Sequence, residues 1–345
     1  MRVLVCSDAV GGLSSAEAGR CLAEGWPGQR TAVVPVGEAG AGFVGAVADR
    51  WGVAEEPVVV NGRVGVRARG PLGTALGLPG DGPGEGPVPY AASSLPLGRL
   101  VADSLPATGA LLVDLVGDDV HDGGAGLLAA LGAEADVDLT AGTAGLRGLT
   151  RLDLEAARGR LAGTDLVGVV PAAQRSTPLL GLRGITSVRG RAVGDDAEPL
   201  LAADAGLQRL AELSGDGLGS VPGAGACGGT ALAVLALGGR LVGGPELALG
   251  GITGPVDLVV TGCSVFDFAH RGGGVIAAAA ALASRLLAPC VVVAGEVVIG
   301  AREMRTMGVE AAYPVHGSDD DAPGGAVGAD ELAETARRVG RTWRW

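Results

Sequence analysis

The stretch RVLVCSDAVGGLSSAEAGRCLAEGWPGQRTAVVPV, residues 2–36, holds two short runs rich in branched apolar residues with a helical pattern between them. The runs Arg2–Cys6 and Thr31–Val36 predict β-strands. Between them, Ser14–Gly25 carries apolar residues at helical spacing behind Ser15, which we expect to cap the helix. A strand, a helix and a second strand in this order predict a parallel β-α-β unit.

A second set of such runs lies near the C-terminus. Its predicted elements are the strands Asp257–Thr261, Cys290–Ala294 and Glu310–Val315 and the helices Val275–Leu287 and Ala329–Val339. A long segment separates the two sets along the chain. The order of elements therefore predicts an α/β fold in which a doubly wound parallel sheet is interrupted by an inserted domain.

The inserted segment has an α/β pattern of its own. Its early part, Gly70–Pro89, is dense in glycine and proline and predicts a loop. The later predicted elements are the strands Ala110–Val116 and Asp165–Val170 and helices at the DGGAG stretch (122–126), Asp153–Leu161, Leu200–Leu213 and Thr230–Leu237. We place the first domain at residues 1–61 plus 255–345 and the inserted α/β domain at residues 62–254.

The composition narrows the functional classes. Hydrophobic residues make up 48% and charged residues 19% of the 345 positions, which is typical of a globular protein. A net charge of −12, with every cationic side chain an arginine or a histidine, argues against nucleic acid and anionic membranes as partners.

The apolar segment Val275–Ala301 is broken by Arg285, Pro289 and Glu296, so we predict no membrane span. The N-terminus lacks the pattern of a signal peptide, and we expect a cytoplasmic protein.

No pattern of metal ligands stands out. The five cysteines are widely spaced and lack the two-residue interval of zinc and redox motifs, so we interpret them as buried small side chains. The acidic cluster Asp319-Asp320-Asp321 lies in a segment rich in glycine and proline, where solvated carboxylates are more usual than a metal site. The residues alone therefore leave the metal ligands unknown.

Six stretches, in chain order, resemble motifs of the type I glycerate kinases. They are DAVGGLSSA (8–16), VPVGEAGAGF (34–43), VHDGGAG (120–126), QRSTPLLG (174–181), PGAGACGG (222–229) and TGCSVFD (261–267). The resemblance implies a flavodoxin-like domain formed by both termini with a different α/β domain inserted. It also implies ATP- and Mg²⁺-dependent phosphorylation of glycerate or a similar small hydroxy acid, a transfer to an alcohol group.

The sequence departs from these motifs at polar positions. Two family lysines, a glutamate, an arginine and two aspartates are replaced, respectively, by Gly11, Gly274, Cys263, Val265, Gln174 and Ser176. Losing two cationic contacts to the phosphates would lower the rate by roughly 10³-fold or more. Arg271, His270 and Arg183 are the candidates to compensate. The alternative is a catalytically impaired homologue that binds a metabolite or a partner protein, so whether the chain is an enzyme stays open.

The DGGAG stretch is a candidate phosphate-binding loop. Asp122 precedes Gly123, Gly124 and Gly126, whose backbone N–H groups can bind an anion at a helix start. Glycines at a helix start also allow close packing against neighbours, and this alternative stays open. Within the resemblance, Asp122 is a candidate to handle the substrate hydroxyl. The preceding His121 is either a surface residue or an acid/base.

Other candidates lie at strand ends and in a second glycine-rich loop. Asp8 and Asp267 follow predicted parallel strands, where open α/β sheets place their ligands. Asp8 either positions metal or substrate or caps the following helix, and Asp267 is a general base, a metal ligand or a solvated acid. Gly12 lies in the Asp8 motif, and the PGAGACGG stretch contains Gly223 and Gly225. We expect these loops and carboxylates to meet in a cleft between the domains.

The C-terminal tryptophans Trp343 and Trp345 can dock on the protein surface or mediate contacts between subunits. The sequence does not choose between the two, and a homo-oligomer is compatible with either. The expected ligands are thus a nucleotide and a small hydroxy acid.

Overall fold

The computed structural model describes residues 1–40, 42–80, 82, 84, 86–106, 108–316 and 326–344. Contacts divide the chain into two compact units. The first consists of Met1–Glu38, Gly45–Arg50 and Gly244–Trp345, and the second of Ala39–Val44 and Trp51–Gly243. The junctions predicted from the sequence, 61/62 and 254/255, stay predictions beside this contact-based division.

The strands of the described chain are β1 (Arg2–Ser7), β2 (Arg30–Pro35), β3 (Glu56–Val60), β4 (Arg63–Gly70), β5 (Gly73–Gly77), β6 (Ala110–Asp114), β7 (Glu134–Ala135), β8 (Leu152–Asp153), β9 (Asp165–Val169), β10 (Arg240–Val242), β11 (Leu258–Phe266), β12 (Cys290–Val297) and β13 (Ala311–Pro314). The helices are α1 (Ser15–Ala23), α2 (Phe43–Trp51), α3 (Leu95–Ala102), α4 (Ala125–Ala130), α5 (Gly142–Gly145), α6 (Glu155–Arg160), α7 (Ile185–Val193), α8 (Ala197–Ser214), α9 (Thr230–Ala236), α10 (Gly244–Leu249), α11 (Gly274–Arg285), α12 (Ala301–Thr306) and α13 (Ala329–Thr342).

The first unit contains a parallel sheet with strand order β13-β12-β11-β1-β2. Counted along this unit alone, the order is 2-1-3-4-5, which is the flavodoxin-like arrangement. Helices α1 and α13 pack on one face through Leu22 and Ala336, and α11 packs on the other through Ile276 and Ala279. The predicted α/β class with a flavodoxin-like sheet from both termini is confirmed.

The start of α1 differs by one residue from the prediction. The cap is Ser14, whose Oγ accepts a hydrogen bond from the Glu17 N–H at 3.3 Å. The Ser14 N–H donates back to the Glu17 carboxylate at 2.9 Å, which completes a capping box. Ser15 is instead the first, buried residue of the helix. Asp8 does not cap α1, because Ser14 fills that position.

The second unit contains a mixed sheet with strand order β10-β9-β6-β5-β4-β3. Strands β5, β6, β9 and β10 are parallel, and β3, β4 and β5 pair antiparallel. All five residues of β5 are buried, although the segment Gly70–Pro89 was predicted as a loop. Its glycines serve packing: a Cβ on Gly73 would lie 1.9 Å from the Ala110 carbonyl oxygen. Sheet packing here overrides the weak strand propensity of glycine.

Three further predictions concern a membrane span, the C-terminal tryptophans and the acidic cluster. In the part of the chain that the structure describes, no helix has the length and apolar character needed to cross a membrane. Trp343 docks on its own unit, since its Nε1 donates to the Tyr313 hydroxyl at 2.8 Å and its carbonyl oxygen accepts from Trp26 Nε1 at 3.3 Å. The Asp319-Asp320-Asp321 cluster and Trp345 lie outside the described residues.

Candidate functional site

The second unit holds a cavity of about 700 Å³ beside the loops that follow β6 and β9. Its lining residues are Gly84, Val120, His121, Gln174, Thr177, Pro178, Arg183, Ile185, Val188, Arg189, Ala192, Gly225 and Gly228. Three of the residues predicted as site residues, His121, Arg183 and Gly225, are therefore brought together here. A cavity of this size, with a few polar groups in its wall, is typical of a small-molecule site.

His121 lies in this cavity wall with only 2% of its surface exposed. Its Nε2 is 2.9 Å from the Oγ1 of Thr186, the second residue of α7. Burial, aided by the positive charge of Arg189 and opposed by Asp119, lowers the pKa of His121 to about 4. The imidazole is therefore neutral at pH 7, with one ring nitrogen that donates a hydrogen bond and one that accepts.

Arg189 of α7 is held by four contacts. Its Nη1 and Nη2 lie 2.5 Å and 2.6 Å from the two carboxylate oxygens of Asp119, a bidentate ion pair. Its Nε and Nη2 also donate to the carbonyl oxygens of Gly86 and Pro87, each at 2.9 Å. The guanidinium keeps the pKa of Asp119 below its usual range. Arg189 thus fixes the cavity wall and has its charge neutralised.

Arg183 is an exposed residue that lines the same cavity. Within the described chain it has neither an ion pair nor a side-chain hydrogen bond. An arginine in this state can form two parallel hydrogen bonds to a carboxylate. Among the described residues that line this cavity, it is the cation that remains available to an anionic ligand.

The PGAGACGG loop borders the cavity, and several of its amides have partners in the protein. Gln174, which replaces a family aspartate, accepts a hydrogen bond from the Cys227 N–H at 2.7 Å. The Gly225 N–H donates to the Thr177 carbonyl at 3.1 Å. A Cβ on Gly223 would lie 2.8 Å from the Arg175 carbonyl oxygen, and one on Gly225 would lie 2.4 Å from that of Pro178. These contacts give Gly223 and Gly225 a packing role.

Asp122 has a different role from the catalytic one expected. It is fully buried, and its carboxylate accepts hydrogen bonds at two helix starts. Oδ2 accepts hydrogen bonds from the Ser94 N–H and hydroxyl, both at 2.8 Å, and from the Gly126 N–H at 3.0 Å. Oδ1 accepts from the Gly124 N–H at 2.9 Å. Asp122 therefore ties the beginning of α3 to the beginning of α4.

The DGGAG glycines are engaged in the same packing. The Gly123 N–H donates to the Gly228 carbonyl at 3.2 Å, and Asp122 accepts from Gly124 and Gly126. A Cβ on Gly126 would lie 2.2 Å from Ser93 Oγ. The amides expected to bind phosphate thus already have acceptors, and α4 is only six residues long. Close packing, the alternative left open by the sequence, explains this stretch.

In the first unit, the predicted strand-end acids lie at the point where the strand order reverses, between β1 and β11. Asp8 follows β1 and is half-buried, and its Oδ1 accepts from the Ala9 N–H at 2.8 Å. Burial raises the pKa of Asp8, against the opposing effect of nearby His270. Asp267 Oδ1 accepts from the Ala269 N–H and lies 3.0 Å from His270 Nδ1. The structure therefore brings Asp8, Asp267 and His270 together.

Cys263, at the position of the family glutamate, lies close enough to Asp8 and Asp267 to feel their charges. Burial raises the pKa of Cys263 to about 12, so a neutral thiol stands in place of the family glutamate. Gly11 has a φ of +60°, and a Cβ there would lie 2.3 Å from the Val327 nitrogen. Gly12 is exposed, and a Cβ added there would have no neighbour within 4 Å. Arg271 is exposed, and its guanidinium carbon lies 5.5 Å from the centre of the Phe268 ring.

The carboxylates of the first unit suit a hard cation. Within the residues that the structure describes, no group of three or more His, Cys, Asp or Glu side chains is arranged to hold a metal by itself. Mg²⁺ commonly binds through one or two carboxylates together with substrate phosphates. Asp8 and Asp267 offer such oxygen ligands, which makes their donor type compatible with magnesium.

Two residues of this site are not recognisable in the sequence: Arg189, which lines the cavity, and Thr186, which bonds to His121. Thr186 and Arg189 lie on α7, 65 and 68 positions after His121, in a helix that the sequence did not predict. The sequence of α7 has only a weak helical pattern of apolar residues. Its apolar residues Ile185, Val188 and Ala192 line a cavity that is open to solvent. A single threonine or arginine in such a segment carries no motif, so neither residue can be identified from the sequence.

Comparison with known proteins places the whole chain in one family. The glycerate kinase family model matches residues 3–344. An uncharacterised protein of Mycobacterium tuberculosis (strain CDC 1551 / Oshkosh) is 31% identical, over 91% of this chain and 84% of that protein. Glycerate 2-kinase of Escherichia coli (strain K12) is 26% identical, over 99% of this chain and 98% of the enzyme. A crystal structure of a candidate glycerate kinase 2 from Salmonella typhimurium LT2 has a TM-score of 0.77 at 25% identity, covering 99% of this chain and 98% of its own. The chain therefore belongs to the glycerate kinase family.

Proposed function

We propose that the protein transfers the terminal phosphoryl group of ATP to a hydroxyl of glycerate or a similar small hydroxy acid. The observation that carries this proposal is the cavity of the second unit, whose lining includes neutral His121 and Arg183, a cation without an ion pair in the described chain. These are the two groups that a hydroxy acid needs: a cation for its carboxylate and a hydrogen-bonding base for its hydroxyl. Relatives named glycerate kinase over nearly the full chain support it.

Arg183 binds the acceptor. Its planar guanidinium pairs with the carboxylate of the acid and thereby sets the position of the neighbouring hydroxyl. In a net-acidic protein this local cation also offsets the repulsion of an incoming anion. Loss of Arg183 should therefore weaken acceptor binding more than it slows the bound reaction.

His121 orients the acceptor hydroxyl. In the arrangement we propose, Nε2–H donates to Thr186, which leaves Nδ1 as the hydrogen-bond acceptor. The hydroxyl oxygen forms a bond to the terminal phosphorus of ATP as the bond from that phosphorus to the ADP oxygen breaks, and the hydroxyl proton passes to Nδ1. Because phosphoryl transfer proceeds through a loose transition state, orientation matters more than basicity, and a pKa of about 4 is sufficient.

Asp8 and Asp267 are the proposed magnesium ligands. A bound Mg²⁺ would neutralise charge on the phosphates. His270, 3.0 Å from Asp267, would hold that carboxylate in place. Arg271 and Gly12 stay proposed phosphate contacts, since both are exposed.

A binding protein without catalysis is the second candidate, and the two missing lysines favour it. Gly11 and Gly274 both have left-handed φ values, +60° and +81°. At Gly11 the Val327 backbone fills the space that a side chain would need. Neither position therefore supplies a cation, and the expected cost is roughly 10³-fold in rate.

An assay of ADP release with D-glycerate, ATP and Mg²⁺ separates the two. For a kinase, we expect turnover in the wild type, a KM for the acid at least tenfold higher in Arg183→Gln, and a lower kcat in His121→Gln. The control Arg147→Gln changes another exposed arginine of the same unit that lies outside this cavity and should stay within twofold of the wild type.

The result that supports the binding protein is no turnover together with thermal stabilisation by glycerate that Arg183→Gln abolishes. Absence of both turnover and stabilisation, with D-glycerate and with other small 2-hydroxy acids alike, would contradict both candidates.

A further inference from the structure

The cavity around His121 is larger and more apolar than glycerate requires. We infer that the acceptor is a hydroxy acid with an apolar substituent, an inference that rests on the proposed function and names its substrate class. A volume of about 700 Å³ lies within the range of sites that take drug-sized ligands, whereas glycerate has only a three-carbon skeleton. Space beyond the carboxylate and hydroxyl therefore remains for a larger group.

One wall of the cavity is an apolar helix face. Ile185, Val188 and Ala192 of α7 all line it, and their spacing of three and four residues puts them on one side of the helix. Val188 is 52% exposed, although valine is usually buried. The polar residues His121, Thr177 and Arg183 line the same cavity, so it is amphipathic. Such a site matches a ligand with one polar end and one apolar end.

The charge of the cavity favours a monoanion. Of the described lining residues, Arg183 is the cation without an ion pair, because Arg189 is neutralised by Asp119 and His121 is uncharged at pH 7. One guanidinium balances one carboxylate, whereas a nucleotide triphosphate needs several cationic contacts. The apolar wall is therefore assigned to the substituent of a hydroxy acid rather than to the base of the nucleotide.

The test is calorimetric binding of 2-hydroxy acids to the protein without nucleotide. Lactate, 2-hydroxybutanoate and 2-hydroxypentanoate differ by single methylene groups, and D-glycerate serves as the polar reference. We expect Kd to fall about fourfold for each added methylene, the gain from burying that group. Equal affinities along the series, or tightest binding of D-glycerate, would overturn the inference.

A matched pair of variants locates the effect. Val188→Asn should abolish the gain along the series, because it makes the cavity wall polar. Val193→Asn changes an exposed valine at the end of the same helix, outside the cavity lining, and should keep the gain. A gain that persists in Val188→Asn would also overturn the inference. Since binding is measured without phosphoryl transfer, a protein that binds this series but lacks kinase activity would refute the proposed function and leave the preference of the cavity for apolar hydroxy acids in place.

Discussion

The Nε2 atom of His121 lies 2.9 Å from the Oγ1 atom of Thr186, both side chains are buried, and His121 lines the cavity of the second unit. The two residues are 65 positions apart in the chain, so the fold alone creates this contact. The Thr186 hydroxyl can donate to Nε2 or accept from it, and in the arrangement proposed above it accepts, so that the ring proton is on Nε2 and Nδ1 is the acceptor. Thr186 is therefore a positioning residue for His121.

Replacing Thr186 should alter the tautomer of His121. In Thr186→Val the hydroxyl is lost at nearly unchanged volume, and we expect the ring nitrogen shifts of His121 in ¹⁵N NMR to change. Thr186→Ser should restore them. The chain has only three histidines, so His270 and His316 provide internal references. Unchanged His121 shifts in Thr186→Val would show that the hydroxyl has no part in setting the tautomer.

The low pKa of His121 predicts a loss of stability in mild acid. The unfolded chain protonates this histidine near pH 6.5, whereas the folded protein does so only near pH 4, so the unfolded state binds more protons between these values. Stability contributed by neutral His121 is present above pH 6.5 and is lost as the pH falls towards 4. The loss between pH 7.5 and 5 should be about 2 kcal/mol.

Urea unfolding at several pH values measures this effect. His121→Gln keeps a hydrogen-bonding group at this position but has no group that titrates. The stability advantage of the wild type over this variant should therefore fall by about 2 kcal/mol when the pH is lowered from 7.5 to 5. A difference that stays constant from pH 7.5 to 5 would mean that the folded and unfolded histidine titrate alike.

Asp122→Asn should destabilise the protein. The amide would present N–H groups to the donors of Ser94, Gly124 and Gly126 and leave some of them buried without an acceptor. The expected cost is about 3 kcal/mol or more in unfolding free energy, measured by urea denaturation. Asp138→Asn, at an exposed aspartate whose carboxylate accepts hydrogen bonds from Thr140, should cost far less. Equal effects of the two changes would contradict the capping role.

Adjacent glycines offer a second stability comparison. Gly11→Ala should cost about 2 kcal/mol or more, because its φ of +60° is strained for alanine and its Cβ would meet the Val327 backbone. Gly12→Ala has open space and should change stability by no more than about 0.5 kcal/mol. Thermal unfolding of the two variants side by side checks this. Similar midpoints would show that the Val327 segment moves freely away from Gly11.

The sequence predicts much of the first sheet because its strands are apolar runs between clear helical patterns. Arg2–Cys6 and Cys290–Ala294, for example, lie wholly within the observed β1 and β12. Strand β5 could not be predicted, since Gly73 and Gly77 look like loop residues until their close neighbours are known. The contact environment, not the local sequence, makes this segment a strand.

The candidate site was predictable only in part. His121 and Asp122 are neighbours in sequence, and both seemed suited to chemistry. In the fold, the His121 side chain lines the cavity, whereas the Asp122 carboxylate accepts hydrogen bonds at helix starts. The backbone directly after these two residues is left-handed, at Gly123 and Gly124. The direction of two adjacent side chains depends on such backbone angles, which a motif does not specify.

The most direct test of the central proposal is ³¹P NMR of a mixture of protein, D-glycerate, ATP and Mg²⁺, followed over time. The method detects a new phosphate ester itself, and the homologous 2-hydroxy acids can be substituted for D-glycerate in parallel samples. We predict a phosphomonoester signal that grows as ADP appears with the wild type, and that is strongly reduced with His121→Gln while Arg147→Gln behaves as the wild type. Absence of the ester with every acid, or an equal rate in His121→Gln, would contradict phosphoryl transfer at the His121 cavity.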